Sequence, residues 1–200
     1  DCGALHPDRM AKLVREHKAN VGIALDGDAD RVIMCDENGN IVTGDTIIAL
    51  CASHLKTHGA LAKNTVVGTS MSNMGLEVFL RERGIVFIRT DVGDKYVIDA
   101  MRRENLELGG EPSGHIIFLS DTTSGDGVLA ALRVLSVMCR QQKSLSEVAG
   151  VFKPFPQVIS NVGVRERRAI ADMKNVAHEV ALAERELGNR GRLVVRYSGT

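Results

Sequence analysis

The chain has 200 residues, 44% hydrophobic and 25% charged, an ordinary balance for a soluble globular protein with a buried core. Lys plus Arg and Asp plus Glu both number 25, so no net field draws it to nucleic acid or an anionic membrane, and any bound anion needs a local site. No apolar run approaches the ~20 residues of a membrane helix and no basic-then-apolar leader opens the chain, which predicts a cytoplasmic protein without a membrane partner.

A helical stretch over about 6–17 leads to an apolar strand, Val21–Leu25. After an acidic loop, a strand over 32–35, the turn 37–40 and Ile41–Val42 have the pattern of a hairpin. Next come a helix over 45–58, a strand over 65–68, a helix over 73–83, a strand over 85–89 and a helix over 95–104, an alternation that predicts a parallel-type α/β layer. Strands over 106–108 and Ile116–Phe118 flank a Gly-rich turn, and a long apolar helix spans 127–140. Lys153-Pro-Phe-Pro156 has the composition of a linker. Beyond it we expect a strand over 157–164, a charged helix over 167–187 and a strand over 193–197. The opening Asp-Cys-Gly-Ala, without an initiator methionine, and the closing Arg-Tyr-Ser-Gly-Thr200 together suggest an excised segment.

Cys2, Cys35, Cys51 and Cys139 are scattered without a Cys-x-x-Cys spacing, which argues against a zinc cluster or a disulfide scaffold and for reduced thiols in or near cores. His54 and His58 stand four apart on a predicted helix. With no third ligand near in sequence, they are expected to be core or surface histidines.

Asp26-Gly-Asp-Ala-Asp30-Arg31 sets three carboxylates at alternate positions directly after an apolar strand. An extended loop can turn alternate side chains toward one point, where a divalent cation relieves their mutual repulsion. Oxygen-only ligands favour Mg²⁺, Mn²⁺ or Ca²⁺ over zinc. A solvated acidic turn is the plainer alternative. A third reading is an EF-hand, since Asp26, Asp28, Asp30 and Glu37 occupy its first, third, fifth and twelfth places. Arg31 stands where that loop needs glycine, and strand-like flanks replace the helices. Arg31 itself either balances the three acids or holds a phosphoryl oxygen beside the metal.

Gly22-Ile-Ala-Leu-Asp-Gly-Asp-Ala-Asp-Arg31 resembles the metal loop of the α-D-phosphohexomutases, Gly110-Glu-Pro-Ser-Gly-His115 their sugar-recognition loop, and Arg196-Tyr-Ser-Gly-Thr200 the phosphate loop of their last domain. Gly109-Gly-Glu-Pro-Ser-Gly-His-Ile-Ile-Phe118, followed by Thr122-Thr-Ser-Gly-Asp-Gly127, most resembles the phosphoglucosamine mutase branch. The resemblance spans nearly the whole chain. It implies mixed-sheet layered α/β domains of the phosphohexomutase type with a partial α+β C-terminal domain. Residues 1–44 would end the second domain of four, 45–152 form the third, and 157–200 begin the fourth. The first domain, which carries the phosphorylated serine, would be missing; Ser70, Ser72, Ser113 and Ser124 do not match that serine's context.

The implied activity is interconversion of glucosamine 6-phosphate and glucosamine 1-phosphate through a phosphoserine enzyme and a 1,6-bisphosphate that also acts as activator, feeding amino-sugar nucleotide and cell-wall synthesis. Mg²⁺ would sit on Asp26, Asp28 and Asp30, with Arg31 steadying the transferring group. Glu111 and Ser113 would grip sugar hydroxyls, and His115 would position the sugar or donate a proton, or else make a structural hydrogen bond to its loop. Lys95, in Thr90-Asp-Val-Gly-Asp-Lys95-Tyr96, stands where the family commonly has arginine. Arg196, Ser198, Gly199 and Thr200 would hold the idle phosphate. The expected partners are a phosphorylated amino sugar and the missing domain, with no nucleic acid and room for a homodimer. The alternatives are a phosphomannomutase or phosphoglucomutase, or a non-catalytic calcium- or sugar-phosphate-binding module.

Overall fold

The structure, a computed structural model, describes residues 3–197 and divides after Pro154 into two compact units. In the first unit, α1 (Asp8–His17) presses Ala11 and Val14 against Cys35 and ends at Lys18 in the left-handed conformation. The strands β1 (Val21–Leu25), β2 (Val32–Asp36) and β3 (Ile41–Val42) form an antiparallel sheet in that order. The turn after β2 is held by Asp36, whose Oδ1 accepts from the backbone N–H of Asn38 and Asn40 at 2.9 and 2.8 Å.

A second sheet has the order β5-β4-β6-β7, where β4 is Thr65–Thr69, β5 Val86–Thr90, β6 Leu108–Gly110 and β7 Ile116–Phe118. β4 is parallel to both neighbours and β7 is antiparallel to β6, so the sheet is mixed. Strand alternation sorts its side chains by face. Val66, Leu108, Ile116 and Phe118 join one core with α2 (Gly44–Thr57), α3 (Met74–Glu82) and α5 (Gly127–Gln141). Val67 and Ile117 meet Val97, Ala100 and Met101 of α4 (Asp94–Glu104) on the other face. The result is an α/β/α layer with α2 buried from Ile47 to Ala52. Val32, Met34 and Val42 of the first sheet belong to the same core, so both sheets are fixed against α2.

A short helix, α6 (Leu145–Ala149), escapes the periodicity reading because five residues are too few to show a helical repeat. Its signature is the capping box of Ser144 and Glu147, and it buries Leu145 and Val148. Glu37 clamps its start by accepting from the N–H and hydroxyl of Ser146. Partial burial pushes Glu37 up, yet the hydrogen bonds from Ser146, its own backbone and Ser144 outweigh it and hold the carboxyl at about 2 against an ordinary 4.5. A depressed carboxyl stabilises the fold above its unfolded value and loses that contribution as pH falls. Replacing Glu37 with alanine is therefore expected to cost about 1–2 kcal/mol at neutral pH. In urea titrations the deficit should shrink as pH falls from about 4.5 toward 2; a pH-independent deficit would contradict this.

In the second unit, α7 is Lys174–Leu187, later in starting than the expected helix over 167–187 because Ile170–Asp172 forms a 3₁₀ turn and Met173 is non-helical. The strands expected over 157–164 and 193–197 do not form among the described residues. Val158, Ile159 and Val162 are 92, 71 and 79% exposed, and with no described strand alongside them they have no ladder to complete. Tyr197 is tied across the unit, its hydroxyl donating to Arg168 O at 2.6 Å. Among the described residues no helix is long and apolar enough to cross a membrane.

Candidate active site

The pairing of Leu25 with Val32 closes β1 and β2 around a six-residue loop, 26–31. The loop folds on itself: Ala29 N–H donates to Asp26 O at 3.4 Å, with Ala29 at φ 61°, and Arg31 N–H donates to Asp26 Oδ1 at 3.1 Å. This compaction brings one carboxylate oxygen each of Asp26, Asp28 and Asp30 within 4.8 Å of one another. Arg31 Nε lies 3.8 Å from Asp26 Oδ2 and 3.8 Å from Asp30 Oδ1.

The two inner acids diverge electrostatically. Burial pushes Asp26 up, but the Arg31 N–H, a hydrogen bond with Asp30 and the Arg31 charge outweigh it and leave its pKa lowered. Burial and the hydrogen bond with Asp26 raise Asp30; His115 pulls it down, and the charges of Asp26 and Asp28 add to the rise. Buried Asp30 Oδ1 has no hydrogen-bond partner. An oxygen-only donor set, mutual repulsion and an unsatisfied buried oxygen suit a small hard divalent cation such as Mg²⁺. Glu37 is not available as an EF-hand ligand, since its carboxylate is engaged on Ser146.

The loop 111–115, between β6 and β7, docks directly on the acidic loop. Arg31 and His115 form an antiparallel bridge, and Val32 N–H donates to Gly114 O at 3.0 Å. The His115 ring, on a residue only 4% exposed, places Nδ1 3.0 Å from Asp30 Oδ2. His115 therefore faces the acids and not the open surface of its own loop. Glu111 Oε1 accepts from Gly93 N–H at 3.1 Å, which tethers the 90–95 loop to the same junction, while Ser113 is exposed. Lys95 sits in the first turn of α4, exposed, with its N–H on Asp94 Oδ1 at 2.7 Å. In the second unit Arg196 is exposed; Ser198, Gly199 and Thr200 lie outside the described residues.

Several supporting residues carry no signal of their own in the sequence. Gly127 N–H donates to Ala29 O at 2.9 Å, joining the start of α5 to the acidic loop. Gly125 faces the imidazole, and a Cβ there would lie 2.5 Å from its Cε1 and Nε2. Buried Asp45, in the first turn of α2, accepts from Asn73 N–H at 2.7 Å and so sets the turn after β4. Of the cysteines expected in or near cores, Cys35 and Cys51 are buried and Cys139, on α5, is exposed; Cys2 lies outside the described residues. The rings of His54 and His58 lie against each other, tilted, with centroids 4.2 Å apart, and neither joins a metal-ligand cluster among the described residues.

The family profile described as phosphoglucomutase/phosphomannomutase, alpha/beta/alpha domain III, matches residues 43–155, more than half of the chain. The chain belongs to this family. Among curated relatives of this phosphoglucomutase/phosphomannomutase family member, a phosphoglucosamine mutase of Anaeromyxobacter dehalogenans is 55% identical over the whole chain and 43% of its own length. One from Desulfovibrio desulfuricans is 52% identical over the whole chain and 44% of its length. The chain thus spans under half the length of these relatives. A solved N-acetylglucosamine-phosphate mutase, in its substrate complex, superposes with a TM-score of 0.70 at 21% identity, over all of this chain and 48% of that one. Aspergillus fumigatus N-acetylphosphoglucosamine mutase, in complex with GlcNAc-6P and magnesium, gives 0.62 at 21% identity, over 83% and 40%. These superpositions establish the phosphohexomutase fold.

Proposed function

We propose that the chain is the central part of a cytoplasmic phosphoglucosamine mutase, which interconverts glucosamine 6-phosphate and glucosamine 1-phosphate through a phosphoserine carried outside these 200 residues and a 1,6-bisphosphate intermediate that doubles as activator. On this reading residues 1–44 end its second domain, 45–152 form the third and 157–200 begin the fourth. The observation that carries it is the docked pair of loops: an oxygen-only acid cluster joined through Arg31, Gly114 and His115 to a loop presenting Glu111 and Ser113. The names of the 52–55% identical relatives support the amino-sugar assignment.

Phosphoryl transfer requires charge neutralisation and alignment more than covalent invention. Asp26, Asp28 and Asp30 would hold Mg²⁺, which when bound neutralises charge on the transferring phosphoryl group. The half-exposed Arg31 guanidinium, near two of these acids, orients a phosphoryl oxygen at the same place. Glu111 spends one oxygen on Gly93 N–H and keeps acceptor capacity for vicinal sugar hydroxyls; the exposed Ser113 hydroxyl can donate or accept as the intermediate turns round. Lys95 supplies a cation at the rim of the tethered loop. Arg196, Ser198, Gly199 and Thr200 hold the phosphate that is not being transferred.

The test is turnover of the intact gene product on amino-sugar and neutral-sugar phosphates. Glucosamine 6-phosphate should exceed glucose and mannose phosphates in kcat/KM by at least about tenfold, and the 200-residue chain alone should show no turnover. Equal use of the neutral sugars would make it a phosphomannomutase or phosphoglucomutase; turnover by the chain alone would remove the need for an external phosphoserine.

A further inference from the structure

We infer that buried Asp45 is a positioning residue for Glu111, acting through a closed ring of hydrogen bonds. The ring joins four segments of the first unit: the start of α2, the turn 69–73, the loop 90–93 and the turn 111–114. The inference rests on the reading of Glu111 as a sugar contact and adds a residue remote from the sugar. Asp45, 4% exposed in the first turn of α2, accepts from Asn73 N–H through Oδ2 at 2.7 Å. The turn it holds is closed by Ser72 N–H on Thr69 O at 3.1 Å, and Ser70 N–H donates across to Thr90 O at 2.9 Å. From Thr90 the chain runs to Gly93, whose N–H donates to Glu111 Oε1 at 3.1 Å. Gly44, the neighbour of Asp45, completes the ring by donating its N–H to Pro112 O at 3.1 Å.

The sheet alone does not fix these segments against one another. The parallel ladder of β4 and β5 ends at Thr69 and Thr90, and the helices that follow, α3 and α4, pack on opposite faces. Past the ladder, the ring is what sets the two diverging loops in register. Gly44 lies against the 111–114 turn, which Gly114 N–H closes on Glu111 O at 3.0 Å. A Cβ on Gly44 would lie 2.1 Å from Glu111 O and 2.8 Å from Gly114 N. Two adjacent residues thus place Glu111 from two sides, Gly44 by seating its backbone and Asp45 by fixing, through 69–73 and 90–93, the donor that orients its carboxylate. A displacement of about 1 Å in a group that aligns substrate can cost about 10²-fold in rate, so a buried acid outside the cleft can control the sugar grip.

The deciding experiment compares Asp45→Ala and Asp45→Asn in the intact gene product, by hydrogen exchange and by kinetics on glucosamine 6-phosphate below the melting temperature. Asparagine keeps an oxygen for Asn73 N–H; alanine removes it. Asp45→Ala is expected to speed exchange in 69–73, 90–93 and 111–114 together and to raise KM by about tenfold or more. Asp45→Asn should keep KM within about threefold of wild type. A purely structural role would lower only the folded fraction, and so kcat, with KM unchanged, and that outcome would overturn the inference. So would faster exchange confined to 69–73, or equal KM increases in both variants. Should Asp45→Ala fail to fold, wild-type exchange decides: Ser70, Asn73 and Gly93 amides opening at one common rate support the ring, and Gly93 exchanging at the rate of a free loop amide overturns it. Absence of wild-type turnover on glucosamine 6-phosphate would instead remove the functional reading, while exchange still decides the ring.

Discussion

On the proposed function, Asp28→Asn in the intact gene product is expected to lower turnover by about 10²–10³-fold while leaving the metal-free fold as stable as before. Asp28 is the exposed member of the acid cluster. Asp26 is unsuited to the experiment because its Oδ1 accepts the Arg31 N–H that shapes the loop, and Asp30 because His115 holds its Oδ2. Removing the Asp28 charge would take one ligand from the proposed cation and also relieves repulsion on Asp30, so the stability change should stay within about 0.5 kcal/mol. A ligand that binds only the native state raises the melting temperature by mass action. Adding Mg²⁺ should therefore raise it in wild type and much less in Asp28→Asn. Unchanged turnover would mean the three acids form a solvated turn and not a metal site.

Gly114→Ala should be the most damaging single substitution at the junction, costing more than about 3 kcal/mol. Gly114 has φ +95°, where a side chain is strained, and a Cβ there would lie 2.0 Å from Val32 O, 2.8 Å from its carbonyl carbon and 3.1 Å from its nitrogen. Nothing nearby can yield cheaply. Val32 is fully buried in β2, and its N–H is the donor to Gly114 O. The chain can admit the methyl group only by lifting the 111–115 loop off the acidic loop, which also removes His115 from Asp30. A shift of the urea midpoint with loss of metal affinity is the expected outcome. A variant that melts within a few degrees of wild type and binds Mn²⁺ normally would show that the two loops do not depend on each other.

Much of the layer was legible because its signals are local. Val21–Leu25 and Ile116–Phe118 are strands within the expected bounds, and α2, α4 and α5 lie within one residue of theirs at each end. Each shows its period over a few consecutive residues, and Asn73 and Asp126 cap α3 and α5 by accepting from Gly75 and Leu129 N–H. The same kind of signal misled after Pro154. Val158, Ile159, Val162 and Val164 have strand propensity, but propensity alone supplies no neighbouring strand, and these residues stay exposed and form no strand among the described residues.

By itself the sequence determined which residues could do chemistry: three acids at alternate positions, an arginine beside them, and a Gly-bounded Glu-x-Ser segment. Those are properties of short windows, set by side-chain type and backbone period. Only the tertiary structure decided which groups meet. His115 reaches Asp30 across 85 positions and Ser146 reaches Glu37 across 109. Such contacts exist because β2 and β7 share the core around α2 and α5, and no spacing rule along the chain encodes them. The imidazole thereby lies hydrogen-bonded to Asp30, and an apparent twelfth calcium ligand becomes a clamp on a helix.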